Sequence, residues 1–435
     1  MIDSPSNPVR DRRAVLTAIG FGFVAVVWFV LLSGWMDIVP GSVMVQRQNV
    51  LFNSDTNLWI DEMIYWHKPL TLAVHPLDVF LWRMPCQALY HVLRLLVPVD
   101  LAGVLAARVL VALVAGTGVG FLAFVALESG MALAQCVLLF AMYLLFTSSC
   151  TIALPEHFGI SNGLLSIAFA VPLVVAKPRA KTAALSVLAG LCGGTTITNV
   201  LYPLVSLLRY GFDSVRTRRV MVATATIALV GAVFLYADSR SWVLSNRAIL
   251  PKYVPAAGRL YLKTTVIHIY VTEFSNARLV RDPRRAIVYA IYVLAAPAVG
   301  PTPLIVQHPN FNMVSYEPAR EPLRLSYYRE IQGGGAVLWL ILLLGCVYQA
   351  VADPTTRAFV WLPIGWILFA MLFHNLWGDE LILYAAHWSW ALMGLVLLGA
   401  RHLSVRLTAA IVIPVVLCQA LTLFQIKSAL QTIVH

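Results

Sequence analysis

Charge is what this sequence has least of. Of 435 residues only 12% are Asp, Glu, Lys or Arg, 60% are hydrophobic, and mean hydropathy is +0.80. A soluble globular protein carries about 25% charged residues, so half that share excludes a chain whose whole surface meets water. Acidic residues are the scarcer sign, 20 against 31 Lys plus Arg. The six cysteines (Cys86, Cys136, Cys150, Cys192, Cys346 and Cys418) are scattered and form no CxxC pair, which supports neither a metal site nor a disulfide framework. Repeats, low-complexity tracts and heptads are absent. The GGTT at 193–196 lacks the Gly-Lys-Ser/Thr ending of a phosphate loop and lies in an apolar run.

What is abundant is long apolar sequence. Runs occur at 14–35, 101–127, 131–149, 160–176, 182–208, 220–236, 335–352, 358–374, 382–400 and 405–426. About 20 apolar residues in a helix cross the ~30 Å of bilayer hydrocarbon. Turn residues do not recur at barrel spacing, so the runs predict helices and an all-α polytopic membrane protein. The first run follows MIDSPSNPVRDRR and reads as an uncleaved anchor. A weaker run, 76–97, is interrupted by Pro76, Arg83, Pro85, His91 and Arg94.

Basic residues set the orientation. A net charge of +11 suits cytoplasmic loops better than nucleic acid in a chain of this kind. Arg10, Arg12 and Arg13 predict a cytoplasmic N-terminus. KPRAK (177–181), the Arg209–Arg219 cluster, Arg357, Arg401 and Arg406 are expected on the same side. All of these agree only if 76–97 lies at the outer surface as an interfacial helix. The run 182–208 must also re-enter as two half-length helices, breaking near Gly193–Gly194. The chain then divides into an N-terminal transmembrane module (1–236, with a first outer loop at 36–100), an outer region (237–334) and C-terminal transmembrane helices (335–435). The 14-residue patch 287–300 is too short to span and is expected to pack on the bundle or dip into the interface.

The few acidic residues gather on the outer side. Asp55, Asp61, Glu62 and Asp78 fall in the first outer loop, Glu156 in CTIALPEHFG (150–159), and Asp379 and Glu380 in HNLWGDELI (374–382). Ionisable groups near membrane depth are costly and tend to be functional; the plainer alternative for each is a helix cap or a solvated loop charge. Around Asp55 the sequence is rich in Leu58, Trp59, Ile60, Ile64, Tyr65 and Trp66, which suits the headgroup zone. His75-Pro76-Leu77 starts a further helix, with Pro in its first turn. Glu380 and His387, seven residues apart, are expected on one helix face toward a common cavity. His374, His387 and His402 lack metal-ligand spacing, so no metal and no cofactor is predicted, a divalent cation being unsupported.

The order Asp55, Asp61-Glu62, His75-Pro76-Leu77, Ala107-Arg108-Val109-Leu110 resembles the start of GT-C superfamily membrane glycosyltransferases, such as lipid A aminoarabinose transferase and the protein O-mannosyltransferases. LPEHFGIS (154–161) and AGLCGGTTITN (189–199) extend the likeness over about 14–236; GDELILYAAHW (378–388) is closer to bacterial relatives without a characterised activity. The resemblance implies an inverting transfer of a sugar from a polyprenyl-phosphate donor to a glycan, lipid or protein acceptor. The reaction would take place on the outer face of a bacterial inner membrane. It places the general base on Asp55, with Asp61 competing. Asp61, Glu62, His75, Glu156, His157, Glu380 and His387 would then bind substrate. The leaving phosphate needs positive charge rather than an acid, and among the outer cations Lys263 in GRLYLKTT is the choice. A transporter or flippase of a lipid-linked saccharide is the competing reading, on the strength of the expected helix break.

Overall fold

The computed structural model describes residues 8–46, 50–52, 54, 56–64, 78–210, 282–308, 311–316, 323–376 and 381–434. The expected span at 220–236, and the site residues Asp55, His75, Lys263 and Glu380, lie outside the described residues. Sixteen helices are described in order: α1 (Pro8–Trp35), α2 (Val43–Gln46), α3 (Thr56–Ile64), α4 (Asp78–Leu93), α5 (Val99–Glu128), α6 (Leu133–Leu144), α7 (Ser149–Ala153), α8 (His157–Val174), α9 (Pro178–Thr195), α10 (Leu201–Tyr210), α11 (Ala286–Ala295), α12 (Glu330–Ala352), α13 (Arg357–Leu376), α14 (Leu381–Tyr384), α15 (Ala386–Ala400) and α16 (Val405–Val434). Strands β1 (Leu304–His308) and β2 (Phe311–Ser315) form an antiparallel hairpin between α11 and α12. Six of the helices (α1, α5, α8, α12, α13 and α16) are long and apolar enough to cross a membrane. The protein is a predominantly helical, polytopic membrane protein.

Close packing is built on small residues. On α1, a Cβ at Gly22 would meet the Gly116 carbonyl oxygen of α5 at 3.1 Å; on the other side of α5, a Cβ at Gly118 would meet the Gly163 Cα of α8 at 2.7 Å. Lipid chains are as apolar as leucine, so helices in a bilayer associate through such close van der Waals contact. The pairings also fix direction. Gly22 lies against Gly116 and Gly34 against Arg108, so α1 and α5 are antiparallel; Val111 lies against Gly159 and Gly118 against Gly163, so α5 and α8 are parallel. Arg108, 8% exposed, donates to the carbonyls of Ile38 (3.3 Å) and Val30 and so ties α5 to the end of α1. Its place in the Ala107–Leu110 motif is thereby given a structural role.

These directions bring the basic loops to one end. Arg209 donates to the Ala358 carbonyl, Arg401 pairs with Asp353, and Gln135 of α6 bonds the Ala400 carbonyl at 2.6 Å. The start of α1, with exposed Arg12 and Arg13, and the α8–α9 turn at Lys177 share this end through the α1–α5–α8 alignment. At the opposite end Lys427 of α16 pairs with Asp37, just after α1, at 2.8 Å.

Three runs depart from the expected lengths. The run 131–149 gives only the 12 residues of α6. Thr147-Ser148-Ser149 then turns the chain, its backbone bonding Ala298 and Pro297 and the Thr147 hydroxyl accepting from Gly300 N at 2.8 Å; such residues draw backbone groups away from a helix. The run 182–208 does break and double back, but at Thr196 (φ −147°) rather than at Gly193–Gly194. Its first arm is 18 residues, about 27 Å, not half a span. The β-branched stretch Thr195-Thr196-Ile197-Thr198 is the weak point in helix propensity. The run 382–400 is divided at Ala385 into α14 and α15.

The patch at 287–300 yields the short helix α11, whose Tyr289, Tyr292 and Val293 are buried. Trp339 donates to the Leu294 carbonyl and Trp388 to that of Val293, at 2.8 and 2.9 Å, so it packs on the bundle. The hairpin was not signalled by alternation. It collects the segment Val50–Phe52: Phe52 N bonds Val314 O at 2.8 Å, and Val314 N bonds Val50 O at 2.9 Å. In α3, Trp59, Ile60 and Met63 are buried in the protein rather than displayed to headgroups. In α4 and the turn after it, Met84, Val92, Leu95 and Leu96 are left exposed, the pattern of a helix with one face in lipid.

Candidate functional site

The head of α8 is the centre of the end opposite the basic loops. Pro155 precedes it, and Glu156 is its N-cap residue with extended backbone (φ −146°). A carboxylate there gains from the partial positive charge of the helix N-terminus. Glu156 is 3% exposed and accepts a hydrogen bond from the Thr56 hydroxyl of α3 at 2.7 Å, across 100 residues of sequence. That contact brings α3 onto the head of α8. Glu62, one helical turn and a half further along α3, is also 3% exposed, while Asp61 beside it is partly exposed. Gln87 of α4 donates to the carbonyls of Met63 and Ile64, both at 2.8 Å, and so closes the C-terminal end of α3.

Three imidazoles from three helices meet beside this carboxylate. His157 opens α8, His387 lies in the first turn of α15, and His374 in the last turn of α13. The His157 and His387 rings are 6.1 Å apart between centroids, and those of His374 and His387 are 5.9 Å apart. Tyr384 of α14 stacks on His374 at 4.5 Å, and Phe158 lies 5.5 Å from His387. All three histidines are at most 9% exposed. Among the described residues no group of His, Cys, Asp and Glu is arranged to hold a metal ion.

The polar core beneath holds α15 in register. Asn162, one turn below the head of α8, donates to the Ala386 carbonyl at 2.7 Å and the Ser389 hydroxyl at 3.0 Å, and accepts from Tyr143 at 3.1 Å. The His387 carbonyl accepts from both Trp366 and Trp390 at 2.7 Å. A small cavity lies between α11 and the start of α15, bounded by Tyr292, Tyr316, Leu381, Ile382 and Trp388.

Of the residues singled out in the sequence, Glu62, Glu156, His157 and His387 are buried on this end, and Asp61 borders it. Thr56, His374, Tyr384 and Asn162 were missed. Asn162 carried a signal, a lone amide within an apolar run; His374 carried none beyond its residue type, because its partners are distant in sequence. Arg285 is engaged locally: it pairs with Asp282 at 2.7 Å and bonds the Leu323 carbonyl at 3.1 Å. Neither a family model, nor a curated protein, nor a solved structure matches the chain.

Proposed function

We propose that the protein is an inverting membrane glycosyltransferase of GT-C type, moving a sugar from a polyprenyl-phosphate donor to an acceptor at the end of the bundle that carries Glu156. The observation that supports this best is the Thr56–Glu156 bond, because it joins the two acidic outer segments over the head of α8 beside three imidazoles. Opposite, the other end of the bundle carries the basic loops, as a cytoplasmic face does.

In this reading the acceptor hydroxyl loses its proton to a carboxylate as it attacks the anomeric carbon, and the polyprenyl phosphate leaves as an anion. Asp55, between Ser54 and Thr56, is the proposed base, and Asp61 the alternative. Ser54 and Thr56 are both buried. Glu62, Glu156, His157 and His387 hold sugar or acceptor hydroxyls, joined by His75, Lys263 and Glu380 from the outer segments. The test is transfer of a labelled sugar from a synthetic polyprenyl-phosphate donor by purified protein in liposomes. The second reading, transport of a lipid-linked saccharide, draws on the helix break at Thr196. Movement of the intact lipid-linked sugar across the bilayer without transfer would replace the first reading by the second.

A further inference from the structure

The joint between α9 and α10 encloses a side chain that the protein leaves unsatisfied. Asn199 is fully buried, and neither its Oδ1 nor its Nδ2 has a hydrogen-bond partner. An unmet buried polar group costs about 1–3 kcal/mol, and buried polar groups are otherwise nearly always paired. Backbone departs from helix here: Thr196 is extended and 197–200 form a 3-10 turn. Irregular backbone at such depth is tolerated where it borders protein or a wet cavity.

The chemistry of the amide narrows the occupant. A bare cation would satisfy Oδ1 and leave Nδ2 without an acceptor; an anion would do the reverse. A hydroxyl both donates and accepts, and two neighbouring hydroxyls of a sugar ring serve both atoms together. The surroundings agree. Residues 195–200 (Thr-Thr-Ile-Thr-Asn-Val) carry no charge, and the Ser161 and Thr196 hydroxyls lie 3.5 Å apart. Aromatic bodies border the joint: Trp82 donates to the Thr195 hydroxyl at 2.9 Å, and Tyr202 packs edge-on to Trp390 at 4.5 Å. Ser161 is four residues beyond His157 on α8, which puts the joint about 6 Å below the head of that helix.

We propose that Asn199 is a specificity-determining residue that binds two adjacent hydroxyls of the sugar, with Ser161 and Thr196 beside it. This rests on the sugar-transfer reading of the cluster above. Asn199 is enclosed, so the sugar edge enters as the tip of the α9–α10 hairpin parts from α8.

Methyl hexosides and pentosides, and their single-deoxy analogues, are titrated against full-length protein in nanodiscs. Binding is read by saturation-transfer NMR and thermal stability in parallel. At least one glycoside binds the wild type, and removing either of two neighbouring hydroxyls weakens it about tenfold or more. Asn199→Leu, which replaces the unpaired amide by an apolar isostere, unfolds at or above the wild-type temperature, binds about tenfold or more weakly, and no longer distinguishes the deoxy analogues. If Asn199→Leu does not fold, Asn199→Ser carries the same comparison. Unchanged binding and discrimination in the variant overturn the site. So does a wild type that binds no glycoside while Asn199→Leu loses stability, since an ordered water then serves the amide. Sugar transfer that is indifferent to Asn199 overturns this site and leaves the transfer reading standing; Asn199-dependent glycoside binding without transfer overturns the transfer reading alone.

Discussion

Glu156→Gln separates a role in the site from a role in the fold. The substitution keeps the shape and an acceptor for the Thr56 hydroxyl, 2.7 Å away, but removes the charge. A hydrogen bond to a charged group contributes about 1.5–3 kcal/mol and a neutral one about 0.5–1.5, so stability falls by about 1 kcal/mol. A substrate hydroxyl bound by the carboxylate loses the same charge assistance, about 1 kcal/mol, and kcat/KM falls about fivefold. Thr56→Val is the companion variant, isosteric and unable to donate. If Thr56 acts by holding Glu156 in place, its effect on transfer is smaller, and the double variant is no slower than Glu156→Gln alone. The assay is sugar transfer by purified variants at temperatures set from their own unfolding midpoints. Turnover by Glu156→Gln within a factor of two of wild type would refute the argument, whatever happened to stability.

Asp55→Asn should abolish measurable transfer, general-base loss being about 10²–10⁴-fold, with Asp61→Asn milder; the reverse ranking moves the base to Asp61. Gly163→Ala should lower the unfolding temperature markedly, because its Cβ would run into the Val114 backbone carbonyl of α5, while Gly345→Ala, with open space around it, should not; circular dichroism melts decide this. Burial opposes ionisation of Asp353, but hydrogen bonds from Arg401 and Thr355 and the Arg401 charge outweigh it and hold the carboxyl well below the usual range. A carboxyl lowered on folding stabilises the protein above its unfolded value of about 4. That contribution fades as the pH drops toward the folded value, so melts below pH 4 should fall more steeply for wild type than for Asp353→Asn. In a Cys-less background, Ser326→Cys should react with an impermeant reagent from outside and Ala180→Cys should not, both positions being exposed.

The helices were legible because apolar length is a local property: α1, α5, α8, α12, α13 and α16 coincide with runs visible in the sequence. Where hydroxyl-bearing residues compete for the backbone, as at Thr147–Ser149 and Thr195–Thr198, the apolar count overran the helix. The break at Thr196 was legible as an event and misplaced by a few residues, since glycine draws the eye and a β-branched run does not. The site was legible as far as charge scarcity points. Glu62, Glu156, His157 and His387 stand out as polar groups in an apolar chain. The meeting of His374 with His387, and of Thr56 with Glu156, joins residues on different helices far apart in sequence, and no local pattern encodes it.

The pairing of Val50–Phe52 with Val314 has a consequence for synthesis. The two strands are roughly 260 residues apart, and translation proceeds at about 5–20 residues per second. The first outer loop therefore waits some tens of seconds, with α5 to α10 already made, before its strand partner emerges. During that interval Val50–Phe52 lacks its partner in the hairpin. The acidic end of the bundle is completed late, and a ribosome stalled before residue 304 leaves a chain that has several helices and no closed site.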